Sequence, residues 1–127
     1  MHVFLVEDSS MLRAVLRAHI EHMGGVVVGE AAGEAAAISG IKQLQPDIAI
    51  VDLHLEDGHG LDVIRAAKRL RPELIVFVLT AQKYASIEAL CKKCGADFVF
   101  EKSERHLARF AAILPLVMDT RCVPVSP

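Results

Sequence analysis

Five times along its 127 residues the chain passes from a short apolar run into a segment with helical spacing, and this alternation constrains the fold more than any other feature. The apolar runs are residues 3–6, 26–31, 48–53, 74–79 and 98–101. Runs such as Val3-Phe4-Leu5-Val6 and Ile48-Ala49-Ile50-Val51 do not alternate apolar with polar residues. That pattern suits strands covered on both faces, as in a parallel sheet, and the rhythm predicts five parallel strands flanked by helices on both sides.

The helix ends are legible too. Ser9 or Ser10 can cap the first helix, which places Leu12, Val15, Leu16, Ile20 and Met23 on one face before Gly24-Gly25 stops it. An alanine-rich helix is expected over about 34–44 and a third over about 61–70, each ending near a proline, Pro46 or Pro72, that leads into a strand. A fourth spans about 85–94 with Gly95 as its stop. Ser103 can cap the fifth, which buries Leu107, Phe110, Ala111 and Leu114 and is expected to kink or end at Pro115. One domain over residues 1–118 and a loose tail over 119–127 follow from this reading.

Composition excludes several classes of function. The net charge is −2 with both signs dispersed, so no basic run offers a nucleic-acid footprint. No apolar stretch is long enough to span a bilayer, and the start lacks the basic residues of a signal peptide, so a soluble cytoplasmic protein is expected. Three cysteines make an odd count, which argues against a disulfide framework. Cys91 and Cys94 form a C-x-x-C that ends a helix rather than starting one, with no second ligand pair for zinc, and they read as core residues. The six histidines lack metal-ligand spacing and read as surface or packing residues.

In open sheets of this kind ligands sit beyond the C-terminal ends of the strands. Those ends carry Glu7 and Asp8 after the first strand, Asp52 at the end of the third, Thr80 after the fourth and Lys102 after the fifth. Each alone has a bland explanation: Asp8 is placed to cap a helix, and Lys102 suits a solvated surface charge. Together they make a reactive set. Three carboxylates in one place raise one another's pKa unless a cation is present, and Mg²⁺ suits such a site, completing its shell with water and a phosphate oxygen. Lys102 and Thr80 offer a charge and a hydroxyl to phosphoryl oxygens, which leaves Asp52 as the nucleophile.

Taken in order, Glu7-Asp8, Asp52-Leu53, Thr80-Ala81 and Lys102, with Gly60 and Gly95-Ala96, resemble the receiver domain of two-component response regulators. The length resembles the single-domain form found among chemotaxis regulators. The resemblance implies a doubly wound, flavodoxin-like α/β fold with strand order 2-1-3-4-5. It implies that Asp52 accepts a phosphoryl group from a sensor histidine kinase or a histidine phosphotransfer protein, and that the change of shape is read by a downstream protein. Asp8, Asp52 and the His54 carbonyl would hold Mg²⁺, with Glu7 helping through water. Thr80, Lys102 and the backbone amides of His54 and Ala81 would bind phosphoryl oxygens, while the side chains of His54 and Gln82 would set the lifetime of the phosphorylated state.

Three departures stand out. Ser103 follows Lys102 where the family usually has proline. Val99 takes a place that is usually aromatic, which questions the aromatic half of the usual switch, with Thr80 as the other half. Glu56-Asp57-Gly58 replaces a proline-containing turn, and its acids are expected merely to solvate the loop. Two other functions compete: a receiver-like module that binds a partner without phosphorylation, and an aspartyl-nucleophile phosphatase. The phosphatase would need an acid two residues after the nucleophile, where His54 stands, and a domain to select its substrate. No output segment is expected within the chain, which fits a stand-alone receiver or one cut from a longer regulator.

Overall fold

A computed structural model describes residues 1–81 and 85–122. Its elements are β1 (His2–Val6), α1 (Ser10–His22), β2 (Val26–Ala31), α2 (Glu34–Leu44), β3 (Ile48–Asp52), α3 (Gly60–Leu70), β4 (Ile75–Thr80), α4 (Ala85–Cys94), β5 (Phe98–Glu101) and α5 (Glu104–Cys122). All neighbouring strands pair in parallel, in the order β2-β1-β3-β4-β5. The sheet is the doubly wound arrangement expected from the sequence.

Strand side chains alternate between faces, and the apolar runs let both faces be buried. Phe4, Val6, Ala49, Val51, Val76, Val78 and Val99 pack on Ala37 and Ile41 of α2, Val63, Ile64 and Ala67 of α3, and Cys91 of α4. The intervening residues Val3, Leu5, Ile48, Ile50, Phe77, Leu79 and Phe100 meet Leu16 and Ile20 of α1 and Phe110, Leu114 and Met118 of α5. Two helices thus cover one face and three the other.

Two local expectations need correction, on α5, and the exposure of one α1 residue needs a reason. Val15 is 59% exposed, because α1 and α5 leave an apolar groove of about 200 Å³ between them, along which Val15 sits. Leu107 and Ala111 are only partly buried, unlike Phe110 and Leu114. Pro115 does not end α5, which runs on to Cys122, so residues 119–122 continue the helix instead of beginning a tail. Proline forfeits one backbone hydrogen bond, but Leu114 and Met118 on either side are buried in the core and hold the helix against that loss. Ser9, not Ser10, caps α1, its hydroxyl accepting the Leu12 amide at 3.2 Å. Cys91 is fully buried and Cys94 partly so; both are free thiols, as a core role requires.

Candidate functional site

The C-terminal edge of the sheet gathers Glu7 and Asp8 just past β1, Asp52 ending β3, Thr80 ending β4 and Lys102 just past β5. Register sets their levels. Asp52 pairs with Leu79, so Thr80 lies one residue beyond it on the neighbouring strand, and Thr80 in turn pairs with Glu101, directly before Lys102. Glu7, Asp52 and Thr80 are the buried polar residues among those described, whereas Asp8 is exposed.

Each carboxylate is held by specific donors. One Glu7 oxygen accepts the Ser9 amide at 3.0 Å, and the other lies 2.7 Å from the Lys102 ammonium. The Glu7 carbonyl accepts from the Arg13 guanidinium at 2.5 Å, which ties the first turn of α1 to the strand end. On Asp52, Oδ1 accepts the His54 amide at 3.2 Å and Oδ2 accepts Lys102 Nζ at 3.0 Å. Lys102 therefore reaches across the end of β4 to bond acids on two other strands. Its own amide donates to the Thr80 carbonyl at 2.7 Å.

One carboxylate oxygen from each of Glu7, Asp8 and Asp52 falls within 4.8 Å of the others. Three negative groups thus face a single ammonium, and the imbalance has an electrostatic signature. Burial, followed by the neighbouring Asp8, pushes the Glu7 carboxyl up to about 7. Its contact with Glu7 holds the Asp8 carboxyl below its ordinary range. Burial weighs against the charge of Lys102, but the carboxylates of Glu7 and Asp52 outweigh it and raise the ammonium above its ordinary value. Surplus negative charge on hard oxygen donors, with Asp8 open to water, fits a hard divalent cation that keeps part of its hydration shell.

The loop from β3 to α3 is built with equal care. His54 and His59 bridge across it, and the Gly60 amide returns to the Leu53 carbonyl at 2.9 Å. Gly60 is required here, since a Cβ would stand 2.3 Å from the Asp52 carbonyl oxygen and 2.6 Å from Leu53 Cα. The loop tip is also latched to the start of α2. Asp57 Oδ1 accepts the Glu34 amide at 2.8 Å, and Glu34 Oε1 accepts the His59 amide at 3.0 Å. Gly33, the N-cap of α2, has no side chain to cap with, and a Cβ there would lie 2.2 Å from Asp57 Oδ1. Asp57 thus caps a helix from another part of the chain, and does more than solvate its loop.

Sequence reasoning also missed two imidazoles. His59 Nδ1 accepts the Leu61 amide and caps α3, and His106 Nδ1 accepts the Glu101 amide at 3.1 Å. Histidine is not a favoured N-cap, so composition gave no signal for the first. Among the remaining expected positions, His54 and Ala81 are exposed beside Asp52 and Thr80, and Gln82 lies outside the described residues. Val99 is buried two residues before Glu101, packed toward α3 and α4, away from the acids. Its neighbours Phe98 and Phe100 point to the opposite face, stacked with Phe77 at centroid distances of 4.7 and 6.3 Å, so neither substitutes for an aromatic residue at 99.

Residues 3–113 match the response regulator receiver domain family. The chain belongs to that family. This receiver domain is 33% identical over 100 residues to the chemotaxis protein CheY of Thermotoga maritima, covering 76% of this chain and 82% of that one. It is 34% identical over 102 residues to a putative transcriptional regulator of Pseudomonas aeruginosa, covering 80% of this chain and 49% of the regulator. The chain thus spans about half the length of that relative. Its fold superposes on the response regulator domain of Thermotoga maritima CheB with a TM-score of 0.81 at 22% identity, over 100% of this chain and 98% of the other. Among the described residues no helix is long and apolar enough to cross a membrane.

Proposed function

We propose that the receiver domain carries a phosphoryl group on Asp52 and signals through the resulting change of shape. The observation that supports this reading is the bond of Lys102 Nζ to both Glu7 and Asp52, an ammonium against a carboxylate within an acidic cluster. The donor is a phosphohistidine of a sensor histidine kinase or a histidine phosphotransfer protein. An Asp52 carboxylate oxygen attacks phosphorus, an O–P bond forms, and the P–N bond breaks with its electron pair left on the imidazole. Asp8, Asp52 and the His54 carbonyl would hold Mg²⁺, with Glu7 helping through water, and the ion would supply charge neutralisation for the phosphoryl oxygens.

The chain's own residues do the rest. Lys102 already touches Asp52 and receives one phosphoryl oxygen, so it exchanges a carboxylate partner for a phosphoryl one. The Thr80 hydroxyl and the amides of His54 and Ala81 receive the others, each offered from a strand end or within two residues beyond it. The side chains of His54 and Gln82 border the path of hydrolytic water and tune the lifetime of the modified state. The domain is a carrier of the phosphoryl group for a downstream protein, and not a catalyst acting on a separate substrate. With valine at 99, the shape change proceeds through Thr80 and the backbone of β5 without an aromatic rotation.

Incubation with Mg²⁺ and acetyl phosphate, followed by intact mass measurement, tests this. The expected result is a gain of one phosphoryl mass that vanishes with Asp52→Asn and with chelation of the metal. Labelling of Asp52→Asn at the wild-type rate would overturn the assignment.

A further inference from the structure

Among the described residues β5 is an edge strand, with no further strand on its outer side. In a parallel ladder successive amides point alternately to one neighbour and the other. The Lys102 amide points inward to the Thr80 carbonyl, so the Glu101 amide points to the open edge. An uncovered edge amide pairs with water or with another chain. Here the His106 ring folds back from the first turn of α5, and its Nδ1 accepts that amide at 3.1 Å. This bond requires a neutral ring with its proton on Nε2.

The turn then closes on itself. The Ser103 amide donates to the Glu101 carbonyl at 2.8 Å, a bond that proline cannot make. The Ser103 hydroxyl lies 3.4 Å from the His106 amide. Lys102 sits inside this turn, its backbone fixed to β4 on one side and to the 101–106 ring of hydrogen bonds on the other. His106 also lines a cavity of about 170 Å³ beside Val99. The small side chain at 99 leaves room along the strand edge that the imidazole shares.

We propose that His106 is a positioning residue for Lys102: by covering the edge amide of Glu101, it fixes the root of the lysine whose ammonium meets Asp52. A lysine arm rotates freely along its length, so a displaced root misplaces Nζ relative to both acids. The proposal rests on the reading in which Lys102 receives a phosphoryl oxygen.

The test uses the full chain, acetyl phosphate and Mg²⁺, with Glu101 amide exchange followed by NMR. His106→Ala should slow labelling by about tenfold, the scale expected when a reacting group is misplaced, and should speed exchange at Glu101. His106→Asn, whose side-chain oxygen can accept the same amide, should restore most of both. In a Lys102→Ala background, His106→Ala should add no further loss, because its effect passes through the lysine. Wild-type labelling by His106→Ala would overturn the proposal, and so would an equal loss in the Lys102→Ala background. Should the alanine variant fold poorly, a folded His106→Asn with no rescue of rate would overturn it as well. Failure of the wild-type chain to take any phosphoryl group would bring down the receiver reading itself. Normal wild-type labelling with an indifferent His106 sinks only the positioning role.

Discussion

Two loops frame the acidic cluster, and they are secured differently. The loop between β3 and α3 has a bridge between His54 and His59, a return bond from Gly60, and a reciprocal latch between Glu34 and the Asp57–His59 tip. Among the described residues, the turn between β5 and α5 has the Lys102 amide on the Thr80 carbonyl, the Ser103 amide on the Glu101 carbonyl, the His106 ring on the Glu101 amide, and the Ser103 contacts that open α5. The first loop carries the backbone groups proposed to hold metal and phosphoryl oxygens, which must keep their spacing. The second carries Lys102, which must exchange partners. The first loop is fastened to another part of the chain and suits a fixed template, whereas the second is fastened at the backbone root of Lys102, which leaves the side chain to exchange partners.

The sharpest way to break this contrast is to force the redundant loop apart. Gly60→Ala puts a methyl group against backbone atoms that cannot rotate away, and should cost about 3 kcal/mol, the upper range for overpacking. Denaturant unfolding measures this, and labelling should fall with it because Asp52 itself is displaced. A milder cut is Asp57→Ala, which removes the side-chain cap of α2 and should cost about 1 kcal/mol, lowering Tm by roughly 4 °C. Its labelling rate should stay close to that of the wild type, since the other fastenings remain. A large loss of labelling without loss of stability would show that the latch serves the chemistry directly. The smallest effect is expected for Ser103→Pro. The lost amide bond is offset in part by a stiffer unfolded chain, leaving a net cost of about 0.5 kcal/mol. A greater cost would mean that the Ser103 amide bond secures this turn more firmly than one neutral hydrogen bond usually does.

Much of this was legible in the sequence because each strand end is a local property. An apolar run, its length and the residue that ends it place Glu7, Asp8, Asp52, Thr80 and Lys102 together once the sheet is parallel. The boundaries of β2, α2, α4 and β5 agree with the sequence reading. The latch was not legible, since its partners lie 23 residues apart and the glycine at the N-cap of α2 is an unlikely sign of an acidic cap. Nor was the role of His106, which follows from β5 being an edge strand and from which way the Glu101 amide points. The exposure of Val15 was not legible because helical spacing identifies a face, not how closely a neighbouring helix covers it. That α5 runs on past Pro115 was not legible, because it depends on the burial of Leu114 and Met118 on either side.

The reach of Lys102 across β4 also orders events during synthesis. Asp52 leaves the ribosome 50 residues before the lysine that pairs with it. At typical elongation rates that interval is roughly 2 to 10 s. Through that time the growing chain carries its acids without their ammonium, so the last strand to be made brings the charge that completes the site.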